Sequence, residues 1–277
     1  MQGVFFDLGG TLFSYRNLPR VTVPLIAEAV TRLGVKAGSE QLKDAYTQAS
    51  RDMTFAYADR AYYLHADFFR DTFKRFTELL SAPQDEAVHN WYLEAHRAAI
   101  VDCLVLKDDC LDTLAHLKDL GLYLSVVSNI DDDMLTPLIE REGLARYFDH
   151  WTSSEEAQSC KPDRRFFEIA LARSGLHAKD VLFVGDSPEH DIIGANALGM
   201  QTALITDGGL PPPLQTGRLN VSADHTISTL TELKQLASNT RRRLATRARL
   251  HVACVDLHLS RCRCARVNKL KSSTAAC

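Results

Sequence analysis

The sequence predicts an α/β protein with a three-layer, Rossmann-like parallel sheet core and an inserted all-helical cap domain. Three observations support this. Short apolar runs ending in polar residues or glycine recur at VFFDLGG (4–10), LYLSVVSN (122–129), DVLFVGDS (180–187) and MQTALITDG (200–208). From residue 108 onward, segments of helical periodicity alternate with these runs, the pattern of strands joined by crossover helices. Between the first run and the second lies a long stretch with helical spacing and no strong strand signal.

The first run is a buried strand that breaks at Gly9 and Gly10. In residues 21–100, apolar side chains recur at helical spacing in VPLIAEAVTRL, ADFFRDTFKRFTELL and EAVHNWYLEAHRAAI. About four helices are expected there, with turns near 34–39 and 81–84. DDCLDTLAHLKDLG (108–121) is a helix closed by Gly121. A strand, a helix near 131–142 and a short strand near His150 and Trp151 follow. PDRRFFEIALARSG (162–175) opens on proline and ends on glycine, as helices do. DVLFVGDS is a strand, EHDIIGANALG (189–199) a helix and MQTALITDG a strand. LPPPL (210–214) is a loop, and TISTLTELKQL (226–236) reads as the last helix. The expected organisation is a core of residues 1–16 and 104–236, a cap of 17–103 and a tail of 237–277.

The formal net charge of -3 hides an asymmetry. Residues 238–277 carry ten Lys or Arg and one acid, Asp256, leaving 22 basic and 34 acidic residues elsewhere. So acidic a body repels nucleic acid, and only the basic tail is a candidate for such contact. The tail has a weak apolar pattern and reads as a disordered extension; Cys262 and Cys264 lack the paired spacing of a zinc site. Met1 runs directly into the first strand, so no secretory signal is expected, and no stretch has the ~20 apolar residues of a membrane span. Cys103, Cys110 and Cys160 form no disulfide framework, which predicts a reducing, cytoplasmic setting.

Polar residues stand at successive strand ends: Asp7, then Ser128 and Asn129, then Asp186, with Asp191 five residues later and Lys161 just before a helix. Singly, each has an ordinary explanation. An Asp after a strand caps a turn, Ser128 is a turn residue and Lys161 is a solvated charge. Strand ends of one parallel sheet share one rim, however, and ligands of such sheets bind there.

FFDLGGTLF, VVSN, CKPD and VGDSPEHDIIGANALGM resemble the four motifs of the haloacid dehalogenase-like hydrolase superfamily, over residues 1 to about 236. The spacing from Asp7 to Ser128 resembles that of members with a helical cap of the first type. The resemblance implies an Mg2+-dependent hydrolase, a phosphatase of small phosphorylated metabolites working through an aspartyl-phosphate on Asp7. It implies that Asp7, the Gly9 carbonyl, Asp186 and Asp191 support the metal. Lys161 would neutralise nucleophile and transferring group, and Ser128 would bind phosphoryl oxygens. Asn129 either orients Asp7 or substrate, or caps the next helix. Thr11 is expected to bond locally and hold the turn.

One position departs from the pattern. Family phosphatases carry a second Asp two residues after the nucleophile, where this chain has Gly9. General acid–base catalysis contributes about 10²–10⁴-fold, so its loss leaves three readings. The first is a phosphatase with a substitute acid, for which His65, Asp67 and His96 are candidates, or with leaving groups of low pKa such as aryl phosphates. The second is a dehalogenase-type reaction on carbon, against which the Asp186 and Asp191 pair argues. The third is a binding protein that keeps the site and turns nothing over.

Overall fold

A computed structural model of the chain describes residues 1–206, 212, 214–218 and 221–238. The LPPPL loop lies largely outside the described residues, and the basic tail lies outside them beyond residue 238. Six parallel strands form one sheet in the order β5 (His150–Ser153), β4 (Tyr123–Ser128), β1 (Gly3–Phe6), β6 (Val181–Gly185), β7 (Gln201–Ile205) and β8 (His225–Ile227). The central strand β1 is buried throughout, as its apolar sequence requires, and pairs in register with both neighbours: Phe6 lies beside Val126 and Val184. Asp7, Ser128 and Asp186 therefore emerge from one rim of the sheet.

Successive side chains alternate between the two faces. Phe5, Val127 and Phe183 pack against Phe166 and Phe167 of α8 (Arg164–Ser174). Phe167 and Phe183 meet at 5.2 Å, and burial of each ring contributes roughly 1.5–3 kcal/mol. On the other face Phe6 meets Phe148 edge to face at 6.1 Å. The helices α5 (Cys110–Asp119) and α6 (Asp132–Arg141) bury Leu114, Leu117, Leu135 and Leu138. A short helix α7 (Ser154–Ala157) follows β5.

Between β1 and β4 the chain forms a two-stranded antiparallel ribbon, β2 (Phe13–Ser14) with β3 (Val105–Leu106). Four helices are strung between its strands: α1 (Leu18–Arg32), α2 (Ser39–Tyr57), α3 (His65–Leu79) and α4 (Glu86–Cys103). They enclose a core of Ile26, Ala29, Val30, Phe73, Phe76 and Tyr92, in which Phe73 and Tyr92 stack at 3.8 Å. Asp85 starts α4 by accepting from the Ala87 and Val88 amides at 2.9 and 3.1 Å. No helix of the described residues is long and apolar enough to cross a membrane.

Two local expectations are corrected. Helix does not begin at Thr226: His225–Ile227 adds a parallel edge strand to β7, and helix runs over 232–238. Glu232 accepts from the amides of Ser228 and Thr229 at 2.8 and 3.1 Å, which starts the helix after the strand. The segment after β6 opens as a wide π-type turn, Pro188–Ile192, before the short α9 (Ile193–Ala197). Ser187 accepts from the His190 amide at 2.9 Å, while Asp191 reaches back to the Ser187 amide at 3.0 Å. Residues Met1–Lys234 form one compact unit; the second unit, from Gln235, is described only to residue 238.

Candidate active site

The turn after β1 allows backbone and carboxylates to approach closely. Gly10 sits at φ +71°, and a Cβ there would overlap the Asp186 carboxylate. A Cβ on Gly185 would likewise overlap Asp191. These two glycines let Asp186 and Asp191 fold in beside Asp7.

Asp7 Oδ1 accepts from Ser128 Oγ at 2.9 Å and from Lys161 Nζ at 2.6 Å. Lys161 Nζ also donates to Asp191 Oδ1 at 2.6 Å, so one ammonium bridges two carboxylates. One ligand oxygen from each of Asp7, Asp186 and Asp191 lies within 4.8 Å of the others, and all three residues are buried. Asn129 does not cap α6, which Asp131 precedes as N-cap. Its carboxamide instead donates to the Lys161 carbonyl at 3.0 Å and accepts from the Lys161 amide at 2.7 Å, fixing the backbone that carries the ammonium. Thr11 Oγ1 is fully buried and has no hydrogen-bond partner among the described residues, so the expected local bond is not made.

Burial, reinforced by the charges of Asp7 and Asp191, pushes the Asp186 carboxyl well above the usual carboxylate range. Burial also lifts Asp191 to about 6, against the pull of Lys161. For Lys161 burial acts downward, yet the two carboxylates outweigh it and the ammonium is held above its ordinary value. Three clustered carboxylates, two of them lifted toward the neutral form, are oxygen ligands short of positive charge, and they suit a hard divalent cation.

The acids face a cavity of about 390 Å³ roofed by the helical insert. His65 and His96 line it, and so do Gly9, Ser128, Asn129 and Lys161. Asp67 does not; it pairs with Arg70 at 2.5 Å, three residues along an exposed face. Residues the sequence reading missed also appear. His190 lines the cavity, its Nδ1 3.0 Å from Ser187 Oγ. Tyr15 lies over the first turn: a Cβ built on Gly9 comes within 2.7 Å of Tyr15 Cζ and closer still to its hydroxyl. No spacing in the sequence announces that contact.

Asp131 joins the roof to the core. Its carboxylate accepts from the His65 and Ala66 amides, both at 2.8 Å, at the first turn of α3. The backbone at His65 is thereby fixed from the residue that precedes α6, 66 positions away.

A parallel-sheet core, a helical roof and an acidic rim define a hydrolase-type α/β protein. The family model for haloacid dehalogenase-like hydrolase matches residues 1–199, and the chain belongs to that family. It is 29% identical over 242 residues to a ribulose-1,5-bisphosphate 5-phosphatase of Halopiger xanaduensis, covering 85% of this chain and 98% of that protein. Similarity to (S)-2-haloacid dehalogenase 4A of Burkholderia cepacia is 27% identity, covering 84% and 93%. The L-2-haloacid dehalogenase RSc1362 shares the fold, with a TM-score of 0.63 at 23% identity over 86% of this chain and 99% of that one.

Proposed function

We propose that the chain is an Mg2+-dependent phosphatase of small phosphorylated metabolites, with Asp7 as nucleophile. The observation that carries this reading is the cluster of Asp7, Asp186 and Asp191 with Lys161 bridging two of them. In this reading residues 1–16 and 104–236 are the catalytic core and residues 17–103 the cap. Asp7, the Gly9 carbonyl, Asp186 and Asp191 hold or support the ion. When bound, the ion offsets the repulsion between carboxylate and phosphoryl group and stabilises charge on the transferring oxygens.

Both hydrogen bonds to Asp7 fall on Oδ1, and among the described residues Oδ2 has none. Ser128 and Lys161 thus hold the carboxylate in one rotamer with Oδ2 available for attack. Oδ2 bonds to phosphorus while the P–O bond to the leaving group breaks, and that oxygen departs with the electron pair. An aryl oxygen leaves as phenolate and takes its proton from water. A water molecule then attacks phosphorus and loses a proton to solvent; the bond to Oδ2 breaks, releasing inorganic phosphate and restoring the carboxylate. Lys161 and Ser128 face the transferring oxygens throughout, and Asn129 keeps Lys161 in place. The unpaired Cys103, Cys110 and Cys160 suit the cytoplasm, where we place the protein.

Gly9 favours a second reading, a binding protein without turnover, and similarity to a dehalogenase supplies a third. One set of assays separates them. The intact chain should release phosphate from a panel of esters with Mg2+, lose that activity in EDTA, and lose it in Asp7→Asn. Ligand binding without turnover would establish the second reading. Chloride release from 2-chloropropionate without Mg2+ would establish the third.

A further inference from the structure

The roof of the cavity restricts what the leaving portion of the substrate can be. The charged groups, Asp7, Lys161, Asp186 and Asp191, all come from the core. Facing them are Tyr46, Phe68, Phe69, His96, Ile100 and Leu104. Phe69 meets His96 edge to face at 4.9 Å and His65 at 6.1 Å, so the rings form a continuous wall. Among the described residues Lys161 is the one Lys or Arg lining this cavity, and Asp7 and Asp191 already hold it at 2.6 Å. Burial holds the His65 and His96 imidazoles down to about 4, so both are uncharged near neutral pH.

Arg60 lines an adjoining recess of only about 20 Å³, room for about one water, and stacks on Tyr57 at 3.6 Å. A carboxylate or second phosphate on the leaving portion would thus meet no counter-charge among the described residues. An uncharged ring would instead gain about 25 cal/mol for each Å² of apolar surface it buries. A cavity of about 150 Å³ holds benzene. The 390 Å³ here hold a phosphoryl group together with a body of one or two rings.

We propose, resting on the phosphatase reading of the acidic floor, that the substrate is a phosphomonoester whose leaving portion is uncharged and mostly apolar, of one- or two-ring size. Bisphosphates and carboxylated phosphates are selected against. The missing acid at Gly9 points the same way, because phenolic leaving oxygens need protonation least.

The test compares phenyl phosphate with 4-carboxyphenyl phosphate on the intact chain with Mg2+. The two differ by one charge and have similar leaving oxygens. Calorimetric binding of benzylphosphonate and 4-carboxybenzylphosphonate runs in parallel as a readout independent of turnover. The expected preference for the uncharged member of each pair is on the order of 10²-fold, the scale of an unpaired buried charge. Thr54→Lys places an ammonium on the cavity wall. Among the described residues Thr54 Oγ1 bonds only within its own helix, to the Ser50 carbonyl at 2.8 Å, so the fold should tolerate the change. That variant should narrow both preferences at least ~10-fold. Equal or better use of the carboxylated pair members by the parent overturns the proposal. No hydrolysis of either ester, with benzylphosphonate still preferred, overturns the phosphatase reading and upholds the selectivity. No hydrolysis and no preference overturn both.

Discussion

On the phosphatase reading proposed above, restoring the family's second carboxylate by Gly9→Asp is the obvious way to raise activity, and the structure predicts that it fails alone. A Cβ at position 9 falls 2.7 Å from Tyr15 Cζ, 3.1 Å from Cε1 and nearer still to the hydroxyl. Ordinary contact begins at 3.4 Å, so the ring must shift by a large fraction of an ångström or more before the rest of the side chain is placed. Overpacking of this kind costs about 1–3 kcal/mol. The cost should show as a lower urea midpoint at unchanged slope, with no gain in kcat/KM on alkyl phosphates. In a Tyr15→Ala background the same Gly9→Asp change should cost less than about 1 kcal/mol, a coupling typical of residues in contact. There the new carboxylate should raise kcat/KM on alkyl phosphates by about 10²–10⁴-fold, the range of general acid–base catalysis. The measurement is a double-mutant cycle read by denaturation and by steady-state kinetics. If Gly9→Asp alone keeps parental stability and gains alkyl phosphatase activity, Tyr15 does not occupy that space and the reasoning fails.

Three further outcomes are expected. Asp186→Asn should stabilise the metal-free protein by about 1 kcal/mol or more, because it removes a carboxyl that burial and its anionic neighbours hold toward the neutral form. It should also abolish the rise in Tm on adding Mg2+, and a retained rise would remove Asp186 from the metal site. Asp131→Ala leaves the His65 and Ala66 amides without acceptors and should cost about 1–2 kcal/mol by denaturation, with kcat/KM falling as the roof loses its tie to the core. His96 sits near 4 when folded against 6.5 ordinarily, through burial, so below pH 6.5 the unfolded chain takes up a proton that the folded one refuses. Its contribution is intact above pH 6.5 and is lost progressively toward pH 4, by up to about 3 kcal/mol. His96→Phe keeps the ring contact with Phe69 and should flatten that slope relative to the parent, whereas an unchanged slope would show that His96 is not the group responsible.

The rim was legible because its chemistry is written locally. An apolar run that stops at Asp7, at Ser128 or at Asp186 marks both a strand and the point where the strand leaves the sheet, and parallel pairing brings those points together. What escaped the sequence reading depends on partners distant along the chain or on elements too short to show a period. The ribbon strands have two residues each and the edge strand three, below the length at which alternation can be read. Asp131 looks like one acid among three in IDDD, yet its role is set by amides 65 and 66 residues away. Asn129 does not cap the next helix, and its bonds to the Lys161 backbone escaped notice because that partner lies 32 residues on.

The Tyr15 contact shows why the loss of an acid at Gly9 is not a bare deletion. Two residues six apart divide one volume: a side chain at position 9 and the Tyr15 ring cannot both occupy it in the observed arrangement. The absence of a carboxylate and the presence of a phenol over the turn after Asp7 are therefore one structural fact. On the phosphatase reading, that arrangement removes the proton donor that alkyl esters require and adds an aromatic edge to a cavity already walled by Phe68, Phe69 and His96. Reactivity and recognition thus change together at this site. A leaving group that needs no protonation is also the one whose flat, uncharged body such a wall receives best.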